Sequence, residues 1–206
     1  MIRQIRPAAI TGAALAVVVA IALTGCQPDP EPTPSLTVTT ASPTTTATPS
    51  PGPTADDAGA AKQANIDAAK ARYEDYIAAI NQIAIDGGAD GYDRIAEFLG
   101  TPELQTTHQA YWAQVVEKGT VQKGETVIAA MTVTEYVGDP LATTTQQVRM
   151  DVCLDNSTMD TVRPDGTSTQ QEGWPKRVVQ KVLMQTQPDG RWTVNEAATT
   201  DPVQEC

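Results

Sequence analysis

Between Gln27 and Thr54 the chain reads QPDPEPTPSLTVTTASPTTTATPSPGPT, a stretch that is more than half Pro and Thr. Proline removes a backbone donor and fixes φ, and a run this poor in large apolar side chains cannot bury enough surface to offset the entropy of ordering it. The stretch therefore divides the sequence, and a folded core has to lie to one side of it. The 152 residues from Ala55 to Cys206 are enough for one domain with an ordinary core. The Pro/Thr segment itself favours polyproline II and is expected to be a disordered, semi-rigid tether. At about 3.1 Å per residue it would reach roughly 85 Å when stretched. Its threonines and prolines also make it a candidate for glycosylation.

Ahead of the tether, Arg3 and Arg6 precede an apolar run from Ala8 to Leu23, which closes on Leu23-Thr24-Gly25-Cys26. A basic start, an apolar middle and a small-residue end are the parts of an export signal. This ending resembles the lipobox of bacterial lipoproteins. The resemblance implies a signal peptide over residues 1–25, cleavage before Cys26 and a diacylglyceryl group on the Cys26 thiol. The mature chain would then be anchored by lipid to the cell membrane, on its extracytoplasmic face, with residues 26–54 as linker. The alternative is an uncleaved membrane anchor. Its sixteen residues fall short of the roughly 20 needed to span, and Gly12 and several alanines weaken it further. Under either reading the remainder lies outside the cell.

Loss of Arg3 and Arg6 with the leader lowers the basic count from 14 to 12 against 25 acidic residues, a net charge of −13. Nucleic acid is excluded as a partner, because phosphate binding draws on clustered Lys and Arg and no such cluster occurs. With Cys26 assigned to lipid, Cys153 and Cys206 remain as an even pair in an oxidising compartment. A bridge between them closes a loop of about 53 residues and is worth about 4 kcal/mol by chain entropy. The alternative is two separate thiols, one of them at the chain terminus.

The first half of the 55–206 domain reads helical. Ile66, Ala69, Tyr73, Tyr76, Ile77, Ile80 and Ile83 recur at steps of three and four, and Gly87-Gly88 ends the run. A short helix is expected over Tyr92–Leu99, with Ile95 and Phe98 inward. Thr101-Pro102 opens a third helix, whose stripe is Leu104, His108, Tyr111, Trp112, Val115 and Val116, and Gly119 closes it. The period then changes to two. Strands are expected over Thr126–Val137, Thr145–Leu154, Arg177–Gln187 and Arg191–Ala198, with a weaker pair around Asp165-Gly166. Val148, Met150, Val152 and Leu154 share one face, which places Cys153 on the outer side with Arg149 and Asp151. Pro188-Asp189-Gly190 makes a tight hairpin before Trp192 and Val194, which point to one face.

The fold class is α+β: three N-terminal helices packed on a curved antiparallel sheet of four to six strands. The helix Pro102–Lys118, the strand Val148-Arg149-Met150-Asp151-Val152-Cys153, the closing Asp189-Gly190-Arg191-Trp192-Thr193-Val194 and the terminal Cys206 carry a further likeness. With the lipobox and stalk they resemble the nuclear transport factor 2-like, cone-shaped domains of lipid-anchored actinobacterial envelope proteins. That resemblance covers about three quarters of the chain and rests on pattern and spacing. It implies a hollow between helices and sheet in which enzymes of this fold place acid/base residues.

His108, the single histidine, is expected to face that interior beside Tyr111 and Trp112, with Tyr73 and Tyr76 lining the same hollow. These five residues are the candidate pocket. Paired with a tyrosine, or with Asp75, His108 would make a minimal proton-transfer site; the alternative is a satisfied core histidine among packing tyrosines. Periodicity puts Asp75 toward solvent. One histidine and no free cysteine give no structural metal set, no cofactor motif occurs, and no serine sits in a nucleophile elbow. Asp155, Asp160 and Asp165 lack the alternation of a calcium loop and read as turn residues. The expected function is a non-catalytic binding or interaction module of the envelope, taking a small apolar ligand or a protein partner. The alternatives are an isomerase or dehydratase working through His108 and a scaffold subunit of an envelope or secretion complex.

Overall fold

A computed structural model describes residues 54–206. The leader, the Cys26 lipid site and the linker up to residue 53 lie outside the described residues. Thr54, assigned to the linker from sequence, belongs to the domain: it is the N-cap of helix α1 (Ala55–Ile85). Its side chain accepts from the Asp57 backbone N–H at 3.3 Å while the Asp57 carboxylate accepts from the Thr54 N–H at 2.8 Å. This reciprocal capping satisfies two of the donors that a helix start leaves free. The expected stripe buries Ile66, Ala69, Tyr73, Tyr76, Ile77 and Ile83, while Ile80 is only half-buried.

The second helix differs from expectation. Helix α2 covers only Gly91–Ile95 and tightens into a 3₁₀ turn at Ala96–Phe98. Leu99 leaves the helix in an extended conformation, and its segment lies beside the last strand, where the Gly100 N–H donates to the Val194 carbonyl at 2.9 Å. The tighter turn sends both Phe98 and Leu99 into the core instead of one of them around the helix. At Gly91 an added Cβ would stand 2.7 Å from the Ile83 side chain and 2.8 Å from the Trp112 ring, so the close approach of α2 to its neighbours requires a residue without one.

Helix α3 (Pro102–Lys118) starts as expected, with Leu104 N–H donating to the Thr101 hydroxyl at 3.2 Å and Pro102 in the first turn. It ends on Gly119 in the left-handed region. Yet Trp112 is its only fully buried residue. The stripe read from sequence is half right, since Leu104, His108 and Val115 are partly covered and Tyr111 and Val116 are each 52 % exposed.

Four antiparallel strands form the main sheet in the order β2–β3–β5–β6, from β2 (Val127–Val137), β3 (Gln147–Asp155), β5 (Arg177–Thr186) and β6 (Trp192–Thr199). Val148 stands opposite Met184, which stands opposite Val194; Met150 stands opposite Val182. These side chains, with Val152, Leu154 and Trp192, meet α1 to make the core. On β2 the more covered residues are Ile128, Met131, Val133 and Tyr136, at steps of three, two and three. Register shifts between Ile128 and Ala130 and between Val133 and Glu135 add one residue at each step of three, so a bulged strand still faces the core.

The opposite face is charged. Arg149 bridges Glu135 at 3.3 Å and Glu196 at 3.7 Å, and Lys181 pairs with Asp151 at 2.7 Å. Cys153 points to this side, yet it is only 8 % exposed because it is bonded to Cys206, with the two Cα atoms 5.9 Å apart. The tail also attaches through the Val179 N–H, which donates to the Gln204 carbonyl at 2.8 Å.

A second sheet escaped the sequence. Strand β1 (Val121–Lys123) pairs antiparallel with β4 (Asp160–Val162), and the turn at Asp165-Gly166 returns the chain only as far as a single bridge between Val162 and Ser168. Three-residue strands are too short to show a period.

Candidate functional site

Tyr73 and Tyr76 sit one turn apart on α1 and point into the core, Tyr73 with no exposed surface. The Tyr73 hydroxyl donates to the Gln180 side-chain carbonyl on β5. Tyr76 packs against Tyr73 with ring centroids 5.7 Å apart and against Phe98 at 6.1 Å. Its hydroxyl meets His108 Nε2 at 3.0 Å, the two rings edge to face. Burial raises both tyrosines well above the ordinary phenol value and lowers His108 below the ordinary imidazole value of 6.5. All three groups are therefore neutral at pH 7.

Trp112, 2 % exposed, stands a turn beyond His108 on α3. The structure thus brings four of the five candidate pocket residues into one packed cluster. Tyr111 is the exception. It was expected inside, but it lies on the outer side of α3, its ring edge-on to Trp112 at 4.8 Å. At 100° per residue, His108, Tyr111, Trp112 and Val115 spread over an arc wider than the strip α3 buries, and Tyr111 falls beyond its edge.

The space between α1 and the sheet, where a hollow was expected, holds buried side chains, Tyr73, Tyr76, Phe98, Met150 and Met184 among them. What opens near His108 is a surface cleft of about 390 Å³ between the start of α3 and β6, lined also by Thr101, Glu103, Asn195 and Glu196. His108 presents no free nitrogen to it. Nε2 is engaged by Tyr76, and Nδ1 is sealed from solvent with no hydrogen-bond partner. A general base has to reach the proton it removes directly or through one water. In this arrangement the imidazole reaches only a tyrosine that is itself inside the core. Asp75 is exposed, as expected, and takes no part.

Among the described residues no group of three or more His, Cys, Asp or Glu is placed to hold a metal ion. Asp155 and Asp165 serve turns as expected, Asp155 accepting from the Ser157 N–H at 2.9 Å and Asp165 from the Thr167 N–H at 2.9 Å, whereas Asp160 is a strand residue, opening β4 and accepting from the Ser168 hydroxyl at 2.6 Å. No helix of the described residues is long and apolar enough to cross a membrane.

Two amide clusters that the sequence reading missed fix α1 to the strands. Buried Asn81 donates to the Thr126 carbonyl at 2.8 Å and accepts from the Thr126 N–H at 3.0 Å and from Gln122 at 2.9 Å. Farther toward the N-terminal end of the helix, Asn65 donates to Gln146 at 2.8 Å, and Gln146 in turn donates to the carbonyls of Asp139 at 2.7 Å and Ala142 at 3.0 Å and accepts from the Tyr136 hydroxyl. The signal for Asn81 was present, since Ile77, Asn81 and Ala84 share one stripe. A polar side chain at such a position needs internal partners.

No protein-family model matches this sequence, and a search of curated proteins found no match.

Proposed function

We propose that this chain is a lipid-anchored, extracytoplasmic protein of a bacterial envelope whose 55–206 domain is a non-catalytic interaction module of nuclear transport factor 2-like build. The address is supported by the Leu23–Cys26 lipobox and the Pro/Thr linker. The build is supported by helices preceding, and packing on, an antiparallel sheet of order β2–β3–β5–β6. One observation carries the non-catalytic reading: both ring nitrogens of His108 are withheld from the neighbouring cleft, one by Tyr76 and one by burial. The filled interior also disfavours a small apolar ligand held within the cone. An interaction module works through its surface instead.

The isomerase or dehydratase reading keeps one supporting fact, the 3.0 Å contact between Tyr76 and His108 beside a cleft. A chromosomal His108→Gln allele separates the two. It should match wild type in every assay in which deletion of the gene shows a defect. An allele as defective as the deletion, with the protein still folded and at normal abundance, would overturn the non-catalytic reading. For the address, the mass of the protein extracted from membranes should show cleavage before Cys26 and an acylated thiol. An intact leader would refute it.

A further inference from the structure

The described clefts differ in charge. Those beside Trp112 and beside Asn81 carry only carboxylates, Asp90, Asp93 and Glu117 in one and Glu74 and Glu125 in the other. The cleft over the outer sheet face balances Arg149 and Lys181 against Asp151 and Glu196, and the His108 cleft carries Glu103 and Glu196. A fifth, of about 480 Å³, lies between the last turns of α3 and strand β4, and its charged residues are both cationic: Lys118 and Arg163. In a chain of net charge −11, a cleft with two cations and no carboxylate runs against the whole molecule.

Arg163 is also singular among the described arginines. Arg72, Arg94, Arg149, Arg177 and Arg191 each have a carboxylate within 4.0 Å, and Arg163 has none. Its Nη1 makes only long contacts, to the Thr167 hydroxyl at 3.4 Å and the Ser168 carbonyl at 3.3 Å. The guanidinium has five donors, so most remain for a ligand. The cleft is held in shape by the approach of the β4 turn to the helix end: a Cβ on Gly119 would lie 3.1 Å from the Pro164 ring.

The rest of the lining is neutral. Tyr111, half exposed, and Val115 supply an apolar wall; Gln114 and Thr120 supply donors and acceptors, and the hydroxyls of Thr161 and Thr169, which donate to the Met159 sulfur and the Thr161 carbonyl, supply acceptors. A bare anion would use the two cations and leave that wall idle. A sugar ring bearing a phosphate or carboxylate would use both, its C–H face on the tyrosine, its hydroxyls on Thr and Gln, and its charge on Arg163 and Lys118. The volume falls within the range of small-ligand sites. We propose that this cleft is a binding site for an anionic saccharide. The proposal deepens the interaction-module reading by naming a ligand class, and rests on that reading for its extracytoplasmic setting.

Calorimetric titration of the full chain with glucose 6-phosphate and with digalacturonate tests it, with inorganic phosphate and maltotriose as the bare anion and the neutral sugar. At least one charged sugar should bind saturably, and more tightly than either control. Arg163→Gln should weaken that binding about tenfold, the loss of one charge-assisted hydrogen bond, and Lys118→Gln, a second exposed change, should weaken it too. Tyr111→Ala should weaken the sugar without altering the response to inorganic phosphate. The proposal is overturned if neither charged sugar binds at millimolar concentration, if maltotriose or inorganic phosphate binds as tightly, or if both charge variants bind as wild type does. Such a failure would leave the anchored, non-catalytic reading standing, because the His108→Gln allele and the acyl mass test that separately.

Discussion

Helices α1 and α3 look alike as sequence and differ as structure. Both carry apolar residues at steps of three and four, both open on a threonine cap, and both are followed by glycine. But α1 buries eight residues and is fixed by amide clusters at Asn65 and Asn81, whereas α3 buries Trp112 alone. Periodicity reports the direction a face points, and the depth to which it sinks is set by what the rest of the chain places opposite it. Here the inner sheet face is largely taken by α1, and α3 is left with Tyr111 and Val116 half in solvent.

The sharpest way to break this contrast is to truncate an aromatic on each helix. Tyr73→Ala removes a fully buried ring and leaves Gln180 without its donor, so unfolding stability should fall by about 4–5 kcal/mol. Tyr111→Ala, which gives up only the edge contact with Trp112, should change it by about 1 kcal/mol or less. Denaturant melts of the two variants read this directly, and equal losses would mean that α3 is as integral as α1. Next in size is the sheet's far side. If α1 and the sheet melt as one unit, opening the Cys153–Cys206 loop with paired serine substitutions should cost about 4 kcal/mol, and helix and sheet signals should still be lost together. A helix signal that outlasts the sheet would show that the two are separable.

Much of this architecture was legible beforehand. Thr101-Pro102 and Gly119 bracket α3 to the residue, Gly87-Gly88 ends α1, and the four long strands fall within two residues of their expected bounds. Their signals are local, resting on capping chemistry and on a period that survives without knowledge of the fold. What was not legible depends on distant partners. The extra residues in β2 break the period of two that would have revealed its inner face. Leu99 leaves its helix because β6, almost a hundred residues later, offers a backbone carbonyl. For the site, the meeting of Tyr76 with His108 followed from two stripes facing one interior. The loss of that interior as a hollow did not, because whether side chains fill a space depends on how closely the helices approach.

A smaller effect probes how α1 is held. Asn81→Ala leaves the N–H and the carbonyl of Thr126 without their partner at a buried position and the Gln122 amide with the Gly124 carbonyl alone, at a cost of about 2 kcal/mol. Amide exchange should quicken most around Thr126, before the centre of α1 responds. If protection there is unchanged, the cluster is an accompaniment of the packing and α1 is held by its apolar face alone.

The smallest effect lies where the two helices touch. Burial lowers His108 below the 6.5 it would have in the unfolded chain, so between 6.5 and the lowered value the unfolded chain binds the proton and the folded one does not. Proton uptake on unfolding makes stability rise with pH, so His108's contribution is fully present above pH 6.5 and is lost as pH falls toward the lowered value. A proton arriving on the imidazole would also find Nδ1 with no acceptor, while the nearest charges in the adjoining cleft, Glu103 and Glu196, lie at its solvent side. The aspartates held low by turn and ion-pair contacts, Asp86, Asp155 and Asp189 among them, stay ionised down to pH 5 and add no slope of their own there. Thermal melts should therefore show a small fall in Tm between pH 7 and pH 5 in the wild-type chain and none in His108→Gln. A variant that keeps the slope would place the titrating group elsewhere, and the contact between α1 and α3 would then be a matter of packing rather than of charge.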